Sequence, residues 1–389
     1  MLERRSLGEF PAKPHTVFNW QGSPASELVF TRDGFSSGFS ILYQVDPPTS
    51  IKELGFADIH TDRFLGEIIP LEEVPVARRH VKSWEAPSGT DFFSSRTALY
   101  KSDHCRMSVC RGQMTIEQGG FCNGEGDELY FVYEGEGTFQ TLYGTLEFKK
   151  HDYILIPRGT IYRIVHDDQL ELFCVEGDPY IQIPDDFRNP FGQLKLEAPY
   201  THRDFRSPSR LLNDQEAGQF KTIYSLRNNR ITEHQYSQSP LHTIGWDGSV
   251  YPLAFNIHDY LPKTGKIHLP PNLHLTFQSP HFVVCSFVPR LVDYLDGAAP
   301  CPYPHANVEC DEILYYVSGD FTSRKGISGR SISHHPAGLP HGPQPGNYLK
   351  SVGAKETNEL AVMVDTWESL HYTKAALGLE DTSYQKSWV

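Results

Sequence analysis

Two histidines and one glutamate near the carboxyl end of the sequence could hold a redox-active metal ion. His305, Glu312 and His341 stand in the pattern H-x-N-x4-E-x6-G, followed after a gap by P-x-G-x2-H. Two imidazoles and one carboxylate fill one face of an octahedral Fe(II) ion and leave the opposite face for substrate and O2. The spacing therefore predicts a mononuclear Fe(II) site. The alternative for a stretch of this kind is an ordinary β-hairpin whose histidines are satisfied in the core.

The elements around these residues are predicted to be strands joined by tight turns. Alternate residues of a strand point to the same face, so His305 and Asn307 share one face, and Glu312 returns to it after a turn. The run 313–317 is rich in residues that favour strands. The run 336–340 contains two prolines and a glycine, which is typical of a turn that delivers the second histidine to the next strand.

An internal repeat indicates two similar β units. The frame N-x4-E-x6-G that contains Glu312 occurs a second time around Glu128. In that first copy, Phe121 stands in place of His305 and Tyr162 in place of His341. One carboxylate beside a phenylalanine and a tyrosine does not hold Fe(II). We therefore expect the first unit to be structural and the second to carry the chemistry.

Length and composition agree with two β-rich units. The chain has 389 residues, enough for two packed domains. Its 20 tyrosines, 23 phenylalanines, 31 glycines and 28 prolines favour strands and turns. We predict an amino-terminal β region with a degenerate, ligand-free unit over 1–180, a connector over 181–240, and a catalytic unit over 241–389.

Charge and cysteine content limit the possible binding partners and the cellular compartment. The net charge is −13 and the sequence contains no basic run, which argues against nucleic acid and anionic membranes as partners. No apolar run approaches the roughly 20 residues that span a bilayer, and the amino terminus lacks the apolar core of a signal peptide. Seven cysteines without a C-x-x-C pair predict reduced thiols. We therefore expect a cytoplasmic protein.

The metal-binding stretch resembles the two motifs of the cupin superfamily, small β-barrels that hold a metal ion at their mouth. In that superfamily a second histidine usually occupies the position of Asn307. The resemblance thus implies three protein ligands rather than four, namely His305, Glu312 and His341. It also implies an all-β fold, a bicupin of two β-barrel or jelly-roll domains with few short helices, of which the amino-terminal barrel is degenerate.

Longer strings resemble the homogentisate 1,2-dioxygenases, especially the shorter bacterial-type members, over most of the chain. The strings are LGEFPAKPHT at 7–16, GWDG at 245–248, FNIHD at 255–259, IHLPP at 267–271, FVVCSFVPR at 282–290, HPAGLPHGP at 335–343 and ELAVMVDT at 359–366. The resemblance implies Fe(II)-dependent ring cleavage of homogentisate by O2 to maleylacetoacetate, a step of tyrosine and phenylalanine catabolism. It also implies a homo-oligomer, either a trimer or a trimer-based hexamer.

The same resemblance assigns roles to further residues. Five histidines could act as acid–base groups near a metal, and spacing alone does not choose among them: 242, 258, 268, 274 and 281. His268 falls on the active-site histidine of the family, the proton partner of the substrate hydroxyl. His335 falls on a histidine close to the iron, while its neighbour His334 should point the other way. Tyr303 and Arg324 are candidate substrate contacts.

Two departures from the pattern of the animal enzymes leave the substrate contacts open. In that pattern the first histidine and the glutamate lie one residue closer together, which makes Asp311 a rival carboxylate. The kept distance from Glu312 to Gly319 favours Glu312. The animal pattern also has an arginine and a tyrosine shortly after the glutamate, where this sequence has Ser318 and Phe321.

Three other functions are compatible with the metal-binding stretch. The substrate could be gentisate, a hydroquinone or another 2,5-dihydroxyaryl acid. The activity could be that of another cupin enzyme, such as a Mn-dependent decarboxylase or an isomerase. The chain could also be a non-catalytic bicupin that binds or stores a ligand. The intact ligand positions in the second unit argue against this last function.

Overall fold

The computed structural model describes residues 3–269, 272–298, 303–319, 321 and 326–389, and the chain is mostly β. The all-β fold class predicted from the sequence is therefore confirmed. The strands that begin before residue 180 are β1 (Arg5–Gly8), β2 (Asn19–Trp20), β3 (Ser23–Pro24), β4 (Ser26–Thr31), β5 (Phe39–Gln44), β6 (Ile51–Phe56), β7 (Arg79–Lys82), β8 (Arg96–Lys101), β9 (Cys105–Gly112), β10 (Gly120–Asn123), β11 (Asp127–Glu134), β12 (Gly137–Thr141), β13 (Gly144–Phe148), β14 (Asp152–Ile156), β15 (Ile161–Val165) and β16 (Leu170–Gly177).

The later strands and the helices are shorter on average. The strands are β17 (Phe205–Arg206), β18 (Thr222–Arg227), β19 (Arg230–Tyr236), β20 (Thr243–Gly248), β21 (Leu253–Asn256), β22 (Leu275–Gln278), β23 (Phe282–Phe287), β24 (Arg290–Leu291), β25 (Asp311–Ser318), β26 (Ser331–His335), β27 (Glu356–Thr357), β28 (Leu360–Thr366) and β29 (His371–Tyr372). The α-helices are α1 (Asp62–Leu65), α2 (Asp214–Ala217), α3 (Asn347–Ser351) and α4 (Lys374–Gly378). Single 3-10 turns lie at Asp33–Phe35, Leu71–Glu73, Ser83–Glu85, Asp185–Phe187, His202–Asp204, Ile257–Asp259 and Tyr384–Trp388.

Two large sheets enclose the first hydrophobic core. One sheet has seven strands in the order β13-β12-β15-β10-β18-β19-β6, and the other has eight in the order β17-β21-β14-β11-β16-β9-β8-β29. Alternating residues of both sheets point into the space between them, among them Phe121 and Tyr162 from the first sheet and Tyr130 from the second. Aromatic rings thus fill the interior of the unit in which the sequence lacks metal ligands.

A six-stranded sheet, in the order β22-β23-β28-β25-β26-β7, packs on the opposite face of the eight-stranded sheet. The ring of Tyr315 from β25 stacks on Phe173 from β16, with ring centres 4.8 Å apart. Because strand residues alternate, Leu314 and Tyr316 point to the other face of the six-stranded sheet, where they form a small separate cluster with Phe321. Glu312 shares this second face.

The sheets combine distant parts of the chain. Strand β7 forms the edge of the six-stranded sheet beside β26, whereas β20 and β21 hydrogen-bond to strands of the first half. The segment 181–240 contributes the hairpin β18–β19, which pairs in parallel with β10. The division into segments 1–180, 181–240 and 241–389 stays a prediction. Within the described part of the chain, no helix is long and apolar enough to cross a membrane.

Candidate metal centre

Strand β25 and the backbone bridge next to it bring three candidate ligands together. His305 and His341 form an isolated antiparallel bridge, with reciprocal N–H···O=C bonds of 2.9 and 2.8 Å. Gly342 permits this bridge because its backbone has φ +146° and a Cβ there would lie 2.7 Å from Cα of Pro304. One ligand atom from each of His305, Glu312 and His341 lies within 4.8 Å of the other two.

Hydrogen bonds orient both imidazoles with Nε2 towards Glu312. Nδ1 of His305 donates to the carbonyl oxygen of Tyr303 at 2.9 Å, and Nδ1 of His341 donates to that of Leu339 at 3.1 Å. These bonds place the ring hydrogen on Nδ1 and leave the Nε2 lone pair for a metal ion. The two Nε2 atoms lie 3.8 and 3.4 Å from the two carboxylate oxygens of Glu312.

The donor set fits a divalent metal ion. Nε2 of His341 is buried and makes no hydrogen bond within the described residues, although burial of such an atom is costly without a partner. Two neutral imidazoles and an ionised carboxylate are ligands for Fe(II), Zn²⁺ and related ions. The side chain of His305 is 35 % exposed, whereas those of Glu312 and His341 are 6 % and 0 % exposed. The site therefore opens towards solvent on the side of His305.

Neighbouring side chains hold Glu312 in its ionised form. Nδ1 of His335 lies 2.6 Å from Oε1 of Glu312, and Nδ2 of Asn307 donates to Oε2 at 3.4 Å. Burial alone would raise the pKa of Glu312, but its interactions with the imidazoles of His305, His335 and His341 outweigh burial and hold the pKa well below its usual value. The structure thus places His335 against the carboxylate rather than among the three converging ligand atoms.

A second carboxyl group, which the sequence analysis included only in the string ELAVMVDT at 359–366, also faces the site. Asp365 on β28 pairs with Glu312 on β25 in the antiparallel register. Burial and the charge of Glu312 raise the pKa of Asp365 well above its usual value. Its Oδ1 is buried without a hydrogen-bond partner among the described residues. Only the pairing of two strands that are distant in sequence reveals this neighbour.

The rival carboxylate Asp311 points to the opposite face of β25. Its Oδ1 accepts a hydrogen bond from the backbone N–H of Ala337 at 2.8 Å, and its Oδ2 accepts one from Leu370 at 2.9 Å. His334, which the sequence analysis also assigned to the far face, lies with Nε2 3.4 Å from Oδ2 of Asp311 and Nδ1 2.5 Å from the hydroxyl of Tyr372. Asp311 thus links the turn before His341 to the segment at Leu370.

Tyr303 lies close to both His268 and the candidate ligand His305. The ring centre of Tyr303 lies 6.2 Å from that of His268 and 6.1 Å from that of His305. Nδ1 of His268 lies 3.6 Å from Oδ2 of Asp293 and 3.4 Å from Nη2 of Arg290. Burial and Arg290 lower the pKa of His268 against the opposing effect of Asp293, so the imidazole is neutral at pH 7.

The remaining histidines of this region and the second substrate candidate lie apart from the ligands or outside the described part. His274 is buried and stacks on Phe287, with ring centres 4.1 Å apart, and burial together with Arg290 lowers its pKa to about 3. Arg324, the candidate carboxylate contact, lies outside the described residues. Phe321 packs against Tyr316 in the small cluster behind β25.

In the first half of the chain, an ion pair occupies the place that the ligands occupy in the second. Phe121 pairs with Tyr162 across β10 and β15, as His305 pairs with His341. The hydroxyl of Tyr162 donates to Oε2 of Glu128 at 2.8 Å.

A buried guanidinium completes this first-half arrangement. Nη1 of Arg96 donates to Oε1 of Glu128 at 2.9 Å, and Arg96 Nη2 lies 3.0 Å from Oε2 of Glu176. Glu176 pairs with Glu128 in the register in which Asp365 pairs with Glu312. A positive charge in the first half therefore stands where a metal ion would stand in the second.

Comparisons with known proteins relate this chain to proteins that are named as dioxygenases. A family model described as "Homogentisate 1,2-dioxygenase N-terminal" matches residues 91–257. The "Putative dioxygenase SSO1533" of Saccharolobus solfataricus is 36% identical over 384 residues, which cover 98% of this chain and 97% of that protein. The homogentisate 1,2-dioxygenase of Rhizobium rhizogenes is 25% identical over 289 residues, 68% of this chain and 61% of that protein.

The identity of 36% to the Saccharolobus protein, over nearly the whole of both chains, shows the family. The chain belongs to the family of the Saccharolobus protein, which is named as a putative dioxygenase, and part of it is similar to the homogentisate 1,2-dioxygenases. Among solved structures, a cupin 2 conserved barrel domain protein from Leptotrichia buccalis is similar, with 11% identity and a TM-score of 0.34 over 76% of this chain and 98% of that one. That likeness is too weak to support an argument.

Proposed function

We propose that the protein is an Fe(II)-dependent extradiol-type dioxygenase that cleaves the ring of homogentisate with O2 and forms maleylacetoacetate, in tyrosine and phenylalanine catabolism. The observation that carries the proposal is the convergence of His305, Glu312 and His341, with both Nε2 atoms turned towards one ionised carboxylate. The family relationship supports the reaction class, and the homogentisate dioxygenase of Rhizobium rhizogenes supports the substrate.

Three side chains would hold the iron and a fourth would keep one of them ionised. His305, Glu312 and His341 would be the ligands, and His335 would donate to Glu312 from behind. Fe(II) held by such a set would bring a phenolate oxygen and O2 together and would supply the redox chemistry that joins them. The more exposed side of the cluster, at His305, is the side from which the substrate would enter.

His268 would accept the proton of the substrate hydroxyl. For this role Nδ1 must carry the ring hydrogen, near Oδ2 of Asp293, rather than accept a hydrogen bond from Arg290, so that Nε2 presents its lone pair to the substrate. The lowered pKa keeps the imidazole unprotonated and ready to accept at neutral pH. Once the phenol has lost its proton, the ring is richer in electrons and more reactive towards O2, and the same histidine can later return the proton.

Tyr303 and Arg324 would position the substrate. The ring of Tyr303 neighbours those of both His268 and His305, where it can flank a flat aromatic ring. Homogentisate carries an acetate next to the reacting hydroxyl, and Arg324 would pair with this carboxylate. We further propose a cytoplasmic location, which the free thiols of the six described cysteines support, and a homo-oligomeric state, either trimer or hexamer.

The experiment is oxygen uptake by protein loaded anaerobically with Fe(II). We expect rapid uptake on addition of homogentisate, little with gentisate, and a ring-opened product. The control is His341→Ala, which should lose both the iron and the uptake, beside His258→Ala, which removes an exposed histidine elsewhere and should keep both. Uptake with gentisate instead would move the substrate but keep the site. No uptake with either substrate, in protein shown to contain iron, would contradict the proposal.

A further inference from the structure

A second group of two histidines and one glutamate lies on the surface, outside the centre described above. The group consists of His104, His281 and Glu368, and one ligand atom from each lies within 4.8 Å of the other two. His104 lies in the turn between β8 and β9, and His281 in the turn between β22 and β23. Glu368 follows β28 closely. We call this group the surface triad.

Both imidazoles of the surface triad aim the same ring atom at the same carboxylate oxygen. Nδ1 of His104 lies 2.5 Å from Oε1 of Glu368, and Nδ1 of His281 lies 3.2 Å from that same atom. The two rings are stacked, with centres 3.6 Å apart and planes 3° apart. The three ligand atoms therefore lie within the distance that the ligands of a small cation span. Because the parallel ring planes direct the two Nδ1 lone pairs alongside each other, one ring must turn for both to face a shared ion.

Backbone hydrogen bonds fix the segments that carry the three side chains. The N–H of His104 donates to the other carboxylate oxygen of Glu368 at 3.2 Å, so only Oε1 turns towards the rings. The N–H of Trp367 donates to the carbonyl of His281 at 3.0 Å, and the N–H of Asp178 donates to that of His104 at 3.0 Å. These bonds hold the three segments in place, while the side-chain torsions remain free to adjust to an ion.

The surface triad is accessible from solvent. The side chains of His104, His281 and Glu368 are 36 %, 29 % and 27 % exposed. A polar cleft of about 380 Å³ opens beside His104, and its walls include Lys101, Asp103 and Asn229. An ion can therefore reach the three ligand atoms directly, and water can complete its coordination.

We propose that the surface triad binds a divalent transition metal ion of the zinc type that ties the two halves of the fold together. Two imidazole nitrogens, one carboxylate oxygen and one water form a four-coordinate zinc site. His104 lies in a turn between two strands of the eight-stranded sheet. His281 and Glu368 lie next to strands of the six-stranded sheet. A metal ion held by all three is a cross-link between the sheets, and it stabilises the folded chain because the unfolded chain lacks the arrangement.

The first test counts bound zinc. Metal-stripped protein is dialysed against zinc sulfate and analysed for zinc, with chain folding checked by circular dichroism. We expect two equivalents in the wild-type chain, because the first centre also takes zinc, and one in His281→Ala and in the nearly isosteric Glu368→Gln. The matched control is His242→Ala, which breaks a single histidine–carboxylate pair with Asp46 at 2.9 Å and should keep two. Equal zinc content in all four proteins would overturn the inference.

The second test separates this inference from the proposed function. His341→Ala should bind one zinc at the surface triad, and His341→Ala with His281→Ala should bind none. Zinc should raise the Tm of the first variant and leave that of the second unchanged. If the iron proposal fails, only the equivalent that depends on His341 is affected. A Tm that rises equally in both variants, or zinc content that does not depend on His281, would show that the surface triad is no metal site.

Discussion

The orientation of two ring nitrogens decides whether His305 and His341 can bind a metal ion. In both rings the Nδ1–H group donates to the backbone carbonyl two residues earlier, so Nε2 carries the lone pair in each. This follows from the local sequence, because each histidine comes directly after a proline-containing turn or segment that exposes such a carbonyl. A histidine of the same spacing in an ordinary hairpin core would have both nitrogens satisfied by protein groups.

His268→Gln tests the proposed proton acceptor. We expect the variant to keep its iron, because His268 is not among the three converging ligands, and to lose turnover by roughly 10²-fold or more, the usual effect of removing a general base. Steady-state oxygen uptake and iron analysis check this. Loss of iron together with turnover would contradict the assignment of His268 as a proton acceptor.

The pH profile gives an independent check on the same residue. Since burial and Arg290 lower the pKa of His268, its neutral form persists below pH 6.5, the value for a free imidazole. The rate in wild-type protein should therefore be maintained to below pH 6.5 before it falls.

The two homologous strand pairs show how one element can carry either an ion pair or a metal site. The pairing of Phe121 with Tyr162 and that of His305 with His341 place two side chains above a glutamate on the next strand. In the first half, Arg96 donates to that glutamate and to the hydroxyl of Tyr130, which lies 2.7 Å from the hydroxyl of Tyr162. In the second half, imidazoles replace the aromatic rings. The exchange of a few side chains thus converts a structural element into a candidate catalytic one.

Arg96→Met tests the view that a buried ion pair replaces the metal in the first half. The change leaves Glu128 and Glu176 without their shared cation, and breaking a buried ion pair costs about 3–5 kcal/mol. We expect the urea midpoint to fall accordingly while the iron content of the folded protein stays unchanged. Lys150→Met, which removes an exposed ion pair with Glu134, is the control and should cost less than about 1 kcal/mol. Loss of iron in Arg96→Met would place metal binding in the first half as well.

Local spacing predicts the elements around the metal centre better than it predicts their neighbours. Strand alternation and a proline-rich turn predict that His305, Glu312 and His341 face one another, because these effects act over a few residues. The approach of Asp365 depends on the register between β25 and β28, which are separated by more than forty residues. Such a register is set by packing of whole sheets, so no local pattern announces it.

At the scale of the whole molecule, three large sheets are stacked in layers, and two packed interfaces lie between them. The eight-stranded sheet is common to both, with one face towards the seven-stranded sheet and the other towards the six-stranded sheet. The surface triad spans the second interface, as do Phe173 and Tyr315. The sequence predicted two β units from the repeat. It could not predict that β7, β20 and β21 would join sheets far from their place in the chain, because such crossovers depend on which exposed edges remain available.

The folding stability of the whole molecule at acid pH should depend in part on the buried His274. The pKa of His274 is lowered to about 3, whereas an unfolded histidine titrates near 6.5. Between these values the unfolded chain binds the proton and the folded chain does not, so folding stability falls as the pH falls below 6.5.

We therefore expect wild-type protein to lose about 2 kcal/mol more than His274→Gln between pH 7 and pH 5, from a slope near 1.4 kcal/mol per pH unit. Urea unfolding at the two pH values measures the difference. Equal losses in both proteins would mean that His274 is not held neutral by the fold.

The most direct test of the central claim is the fate of the two atoms of O2. Protein loaded with Fe(II) is given homogentisate under ¹⁸O₂ for a single turnover, and the ring-opened product is analysed by mass spectrometry. A dioxygenase at the centre formed by His305, Glu312 and His341 should place both heavy oxygens in maleylacetoacetate, and His341→Ala should form no labelled product. A product with one heavy oxygen or none, or equal labelling by the variant, would contradict the account.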